Sequence, residues 1–249
     1  MTRRNILGLA VAAALRGASL PEQSAALVLD HNFPDPHVSY LLLDVPTGRT
    51  IAARWNGTDE PAPVGSLVKP FTAVAYGQSH EFRFPVSVCK GDRCWYERGH
   101  GQLDIVHAIA HSCNAYFLDL AAGVDQDALE PVAQKFGIPA PAIITPEALI
   151  GLGGVWQISP IAMVRAYIEL VNRSIEPILT GMALSARAGT GRGVGSGAYV
   201  KTGTQRGDGY VIALYPIASP RHALLVRQSG APGALAAYVC GRMKATLGA

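Results

Sequence analysis

The chain has 249 residues, 49% of them hydrophobic and 16% charged, enough for one large or two small globular domains. Its 27 glycines and 17 prolines are ordinary usage, which excludes collagen-like and disordered architectures. The formal charge of +3 is unevenly placed: without Arg3, Arg4 and Arg16, 18 bases face 18 acids, and a neutral body offers no nucleic-acid footprint.

The N-terminus reads MTRRNILGLAVAAALRGAS. Two arginines precede an apolar run from Ile6 to Leu15, and small residues follow at Gly17, Ala18 and Ser19. That run is shorter than the roughly 20 residues of a membrane-spanning helix, but it has the three regions of a secretory signal. Residues 1–19 are therefore read as a signal peptide and 20–249 as a single exported domain. Arg3-Arg4 ahead of Ile6-Leu7 also resembles a twin-arginine signal. No later stretch reaches spanning length without Pro, Gly or charge, so no transmembrane span is expected in the mature chain, which belongs in the periplasm or the envelope exterior.

Next come two apolar runs, VSYLLLD and RTIAAR, around Pro46-Thr47-Gly48, a hairpin pattern. Ser66 to Tyr76 reads as a helix. Pro85 to Gly101 is a polar excursion in which Cys89 and Cys94 enclose a Gly-Asp turn. These two either close a disulfide or remain free thiols, and a zinc site would want a second ligand pair at comparable spacing, so no metal is expected. His100, between two glycines, reads as a loop-shaping residue, and His107 and His111 lack the glutamate of H-E-x-x-H. Leu103 to Leu120 has helical periodicity, with further helices at Gln126–Phe136 and Pro160–Asn172. AYVKTGT, YVIALYP and HALLVRQ read as strands, and Gly233 to Leu247 as a closing helix. The fold class expected is α+β: one antiparallel sheet made of strands from both ends of the chain, flanked by helices, with a helical insertion.

Three short motifs carry chemistry. Ser66-Leu67-Val68-Lys69 places a hydroxyl and an amine on one helix face. Pro63, Gly65 and Pro70 put the helix start near Ser66, where unpaired N–H groups could stabilise a negative oxygen. With 13 Ser and 5 Lys, chance alone supplies roughly 0.26 such matches, and Ser87-Val88-Cys89-Lys90 is a second copy in an unhelical setting. Ser112-Cys113-Asn114 lies in the expected helix after Leu103; its hydroxyl and amide can relay a proton and hold a peptide carbonyl. Lys201-Thr202-Gly203-Thr204 ends a strand with a lysine and two hydroxyls suited to a carboxylate; chance supplies only roughly 0.001 matches.

In this order the three motifs resemble the serine transpeptidase and β-lactamase superfamily. VSYLLLDVPTGRTIAARW, GHGQLDIVHAIAHSCNAYF, IGLGGVWQISPIAMVRAY, GMALSARAGTGRG and GDGYVIALYP are similar to segments of class B penicillin-binding proteins. The resemblance implies that Ser66 attacks a peptidyl-D-alanyl-D-alanine carbonyl, with Lys69 as general base and Ser112 passing a proton to the leaving amine. Asn114 would hold the substrate amide, Lys201, Thr202 and Thr204 the terminal carboxylate, and the N–H groups of Ser66 and Thr204 the oxyanion. The close strand approach rests on Gly203. The partners implied are peptidoglycan stem peptides, with β-lactams as covalent inhibitors, and no cofactor. The gap of 89 positions from Ser112 to Lys201 is nearer to class D β-lactamases than to typical class B transpeptidases, and the accessory N-terminal domain of the latter is not recognised. Two alternatives follow. In a class D-like β-lactamase, Trp156 would stand beside a carbamylated lysine; a non-hydrolytic β-lactam or peptidoglycan binder would keep the fold without turnover. Class A deacylation is not recognisable, since the segment from Glu147 to Gly151 lacks the required asparagine.

Overall fold

The computed structural model describes residues 22–248, so the expected leader at 1–19 lies outside the described residues. The elements in chain order are α1 (Glu22–Asn32), β1 (Val38–Asp44), β2 (Thr50–Arg54), β3 (Ala62–Pro63), a 3-10 turn (Gly65–Val68) and α2 (Lys69–Ser79). The middle of the chain forms β4 (Ser87–Cys89), β5 (Gly101–Leu103), α3 (Ile105–His111), α4 (Asn114–Ala121), α5 (Gln126–Phe136), α6 (Pro146–Leu149), β6 (Gln157–Ile158), α7 (Pro160–Asn172) and α8 (Glu176–Ala188). The chain ends in β7 (Tyr199–Gln205), β8 (Asp208–Tyr215), β9 (His222–Gln228) and α9 (Gly233–Thr246).

Strands from both ends of the chain join one antiparallel sheet in the order β2-β1-β9-β8-β7, as the sequence pattern implies. Alternation along the strands builds a core on each face. Leu41, Leu43, Ile212, Leu214 and Leu225 pack with α2, α4, α5 and α7, whereas Tyr40, Leu42, Val211, Ala213 and Leu224 pack with α1 and α9. The uninterrupted Leu41-Leu42-Leu43 run is thus a central strand buried on both sides. β7 lies at the sheet edge, and its own alternation turns Gly203 toward Val64 and Leu67 at the 3-10 turn and Lys201 toward Ser112.

Helix starts follow local capping chemistry. Asp104, Asp125 and Ser159 accept from the backbone N–H groups of His107, Ala128 and Ala162 at 2.9, 2.9 and 3.3 Å, opening α3, α5 and α7. The segment expected as one helix from Leu103 to Leu120 is broken at Ser112, whose φ of 52° is left-handed and ends α3. α4 restarts two residues later, with the Cys113 sulfur accepting from Tyr116 N–H at 3.5 Å. A non-glycine residue held there costs of order 1–3 kcal/mol, so the break is maintained by its surroundings.

Candidate active site

The turn that carries Ser66 is built by its neighbours. Ser66 lies in the 3-10 turn and Lys69 opens α2, with Pro70 in the first helical turn as the sequence implies. The buried Tyr167 hydroxyl donates to the Leu67 carbonyl at 2.7 Å and fixes this turn from below. β7 then approaches it backbone to backbone. A Cβ on Gly203 would lie 2.7 Å from the Val64 carbonyl oxygen, and one on Gly65, at φ +58°, would lie 2.5 Å from the Thr204 carbonyl oxygen. Glycine at both places brings the Ser66 and Thr204 backbones side by side.

Ser66, Ser112, Asn114, Thr202, Gly203 and Thr204 share the wall of one cavity of about 360 Å³. Lys69 and Lys201 do not form the wall; both lie 0% exposed beneath it. The Lys69 Nζ donates to the Ser112 carbonyl at 2.8 Å and to the Asn114 Oδ1 at 2.6 Å. The Lys201 Nζ donates to the Ser112 Oγ at 2.8 Å and to the Thr202 carbonyl at 2.6 Å. Two buried amines therefore grip one serine, by its backbone and by its hydroxyl. Among the described residues no carboxylate accepts from either amine.

That environment decides their protonation. Burial pushes the Lys69 amine down to about 7, partly offset by the Cys113 and Cys94 thiols. Burial, and then repulsion by Lys69, hold Lys201 well below the ordinary lysine range. A neutral amine has two N–H groups and one lone pair. Both N–H groups of a neutral Lys69 are accounted for by Ser112 and Asn114, which leaves its lone pair to accept a proton.

Two wall residues escaped the sequence reading. Thr190 accepts from the Thr202 hydroxyl at 2.6 Å and itself donates to the Ala110 carbonyl. Trp95, 54% exposed, reaches over the cavity and donates from Nε1 to the Ser112 carbonyl at 3.2 Å. Thr190 had a signal, standing within the quoted GMALSARAGTGRG; Trp95 had none beyond its place in the polar excursion. Together with Ala234, these two also line an adjoining cavity of about 530 Å³ that holds Tyr96, His100 and His111. The Thr204 hydroxyl accepts from Gly233 N–H at 3.0 Å, which ties β7 to α9.

Other candidates separate from the site. The second S-x-x-K copy has Ser87 on β4, where residues three apart do not share a face. Trp156 is buried in the core and donates to the Pro139 carbonyl at 2.7 Å, away from the cavity wall. Glu147 is exposed on α6. The Cys89–Cys94 disulfide entertained from the sequence is not formed, and all four cysteines are free. The reason is convergence on more than one partner: both sulfurs lie 3.6 Å from the His100 Nδ1, and Cys94 lies 3.8 Å from the Cys113 sulfur.

An antiparallel sheet flanked by helices, with a serine turn, a second serine between helices and a lysine-bearing edge strand around one cleft, has the architecture of the β-lactamase-like fold. The sequence profile of the penicillin-binding protein transpeptidase domain matches residues 41–184, and the chain belongs to that family. The matched stretch holds the first two motifs and ends before Lys201. Among solved structures, PBP2 of Pseudomonas aeruginosa, in complex with WCK 5153, is similar with a TM-score of 0.75 at 18% identity, over 91% of this chain and 75% of that one. The transpeptidase domain of Burkholderia pseudomallei penicillin-binding protein 3 gives 0.69 at 15% identity, covering 90% and 91% of the two chains. The transpeptidase domain of the FtsI4 D,D-transpeptidase from Legionella pneumophila gives 0.66 at 18%, covering 92% and 95%. No curated protein matches.

Proposed function

We propose that this chain is a serine D,D-transpeptidase or D,D-carboxypeptidase that acts on peptidoglycan stem peptides through an acyl-enzyme on Ser66. One observation carries the reading: two buried lysines, without a carboxylate partner among the described residues, converge on Ser112 in the cavity that Ser66 lines.

Chemically, the Ser66 Oγ attacks the carbonyl carbon of the penultimate D-alanine while the Lys69 lone pair takes its proton. The negative oxygen of the tetrahedral intermediate accepts from the Ser66 and Thr204 N–H groups. Collapse breaks the C–N bond, and Ser112 passes a proton to the departing D-alanine amine. Ser112 suits that role because its oxygen accepts from Lys201, which leaves its own hydrogen to donate. A substrate carboxylate arriving near Lys201 would favour charge on that amine and, by repulsion, a neutral Lys69. Substrate binding would thereby prime the base. The acyl ester then passes to a second stem-peptide amine, giving a cross-link, or to water.

The tryptophan offered for a class D mechanism lies in the core, which weakens the β-lactamase alternative. The same reading places the protein outside the cytoplasm, where its leader would send it. No helix among the described residues is long and apolar enough to cross a membrane. The test is a fluorescent penicillin followed over time, together with D-alanine release from a D-alanyl-D-alanine peptide, on the parent and on Ser66→Ala. Stable labelling and release that both vanish in the variant are expected. D-alanine release that survives the substitution removes Ser66 as nucleophile, and rapid loss of label makes the protein a β-lactamase.

A further inference from the structure

On the far side of the Ser112–Asn114 turn lies a group of side chains that the acyl-transfer chemistry does not use. Cys89, Cys94, His100 and Cys113 bring three sulfurs and one imidazole nitrogen within 4.8 Å of one another. In a tetrahedral zinc site, bonds of about 2.3 Å to sulfur and 2.0–2.1 Å to nitrogen hold neighbouring sulfurs ~3.8 Å apart and sulfur and nitrogen ~3.6 Å apart. The Cys94 and Cys113 sulfurs are 3.8 Å apart, and the Cys89 and Cys94 sulfurs are each 3.6 Å from the His100 Nδ1. A disulfide needs about 2.05 Å between sulfurs. The spacing is that of ligands around a common centre.

The surroundings agree. Cys89 and Cys113 are buried, and Cys94 and His100 are half-buried. The backbone N–H of Tyr116 donates to the Cys113 sulfur at 3.5 Å. Such N–H···S contacts are the outer-shell support that thiolate ligands use. His100 lines the 530 Å³ cavity, which gives an ion a way in. The segment from Lys90 to His100 holds no helix or strand and carries exposed Trp95 and Tyr96, so its own packing does little to order it. The second ligand pair missing from the sequence pattern is supplied by His100 and by Cys113, the middle residue of the second catalytic motif.

We propose that Cys89, Cys94, His100 and Cys113 form a closed tetrahedral site for one zinc ion, which staples the Trp95 loop to the Ser112–Asn114 turn. On binding, three thiols give up their protons to water and zinc gains three thiolates and one neutral imidazole. The ion performs no step of acyl transfer. It holds Cys113, and through it the left-handed Ser112 whose carbonyl receives Lys69 and Trp95. The stapling of a catalytic turn rests on the proposed transpeptidase reading, but the metal site itself does not.

The test uses the full chain purified under reducing conditions. Native mass spectrometry should find one zinc per chain after gel filtration. Replacement by Co²⁺ should give thiolate-to-cobalt charge-transfer absorption and the d–d bands of a tetrahedral ion. Cys113→Ser and His100→Ala should each lower zinc affinity by more than about 100-fold, beyond the 10–100-fold typical of outer-shell changes. Absence of stoichiometric zinc, a cobalt spectrum without the thiolate band, or an intact mass showing a disulfide among these cysteines overturns the site; none of these depends on a variant folding. Removing zinc should slow Ser66 labelling by a fluorescent penicillin, and returning it should restore the rate. Unchanged labelling in the metal-free protein overturns the stapling role. Failure of the transpeptidase reading would look different, with zinc bound and no labelling at all.

Discussion

Ser112 and Cys113 are adjacent in the chain, yet they serve two regions built on opposite principles. Ser112 enters a pocket where two amines are buried without a counter-ion among the described residues, so burial suppresses their charge and leaves a lone pair for chemistry. Cys113 enters a knot of soft ligands arranged as if around a cation. One side gains reactivity from missing charge, and the other gains order from shared ligation. A single peptide link joins them, which lets a structural feature set the geometry of a reactive one without sharing its chemistry.

The largest effect that would sharpen this contrast comes from the amine side. Lys69→Met should lower the acylation rate by about 10⁴-fold, since it removes the proposed general base. With the parent protein, the acylation rate should fall about tenfold per pH unit below about 7 and level off above it, because in the proposed mechanism only neutral Lys69 accepts the Ser66 proton. Stability should respond with its own sign. Between about 7 and the ordinary lysine value of 10.5, the unfolded chain holds a proton on Lys69 that the folded chain does not. Stability therefore rises with pH across that window, and the penalty is fully present below it. Urea midpoints at several pH values should show the slope in the parent and a shallower one in Lys69→Met. A flat rate profile from pH 5 to 9 would break the comparison, since it would mean that burial does not neutralise the amine.

Next in size is the break between the helices. Ser112→Ala should cost about 10²–10³-fold in acylation, as it removes the proposed proton relay and leaves the buried Lys201 without one of its two acceptors. A normal rate with the variant correctly folded would remove Ser112 from the proton path.

Most of the fold was legible because its signals are local. The leucine run of β1, the Pro-Thr-Gly turn and the capped starts of α5 and α7 each sit within a few residues. The eight positions proposed for catalysis and binding stood out for a different reason, namely short motifs in a recognised order, and the structure gathers them around one cavity. What escaped depends on distance in sequence. The helix from Leu103 to Leu120 has continuous apolar periodicity, but contacts from Lys69, Trp95 and Lys201, at least 17 residues away, hold Ser112 out of the helix. The cysteine loop was read as an isolated pair because Cys113 stands 19 residues beyond Cys94. α8 is a helix the sequence analysis does not include, and Gly181 packs it tightly against Ile109 of α3.

A smaller effect tests whether the edge strand must touch the nucleophile turn. Gly203→Ala would place a Cβ 2.7 Å from the Val64 carbonyl, which is main chain and cannot swing aside. β7 must then shift outward and carry Thr204 away from Ser66. A displacement of that order should lower acylation by about 10²-fold, with a stability loss of about 1–3 kcal/mol. Full activity in this variant would mean that the oxyanion contacts do not come from β7.

The smallest expected effect lies beneath the turn. Tyr167 is fully buried, and its hydroxyl spends its one hydrogen on the Leu67 carbonyl. Tyr167→Phe keeps the ring, including its edge-on contact with Phe71 at 5.3 Å, and deletes only that bond. The carbonyl would then be left without its donor inside the core, at a cost of about 1–3 kcal/mol, which for a domain of this size lowers Tm by roughly 2–12 °C. Acylation should change less than in Ser112→Ala, because the 3-10 turn is also held by its own backbone bonds and by Pro70. The order of the two effects carries the argument. If Tyr167→Phe slowed acylation as much as Ser112→Ala, the nucleophile would owe its position to the core below it rather than to the cleft, and the division of labour between the reactive and the structural region would have to be drawn through α2 instead of through Ser112 and Cys113.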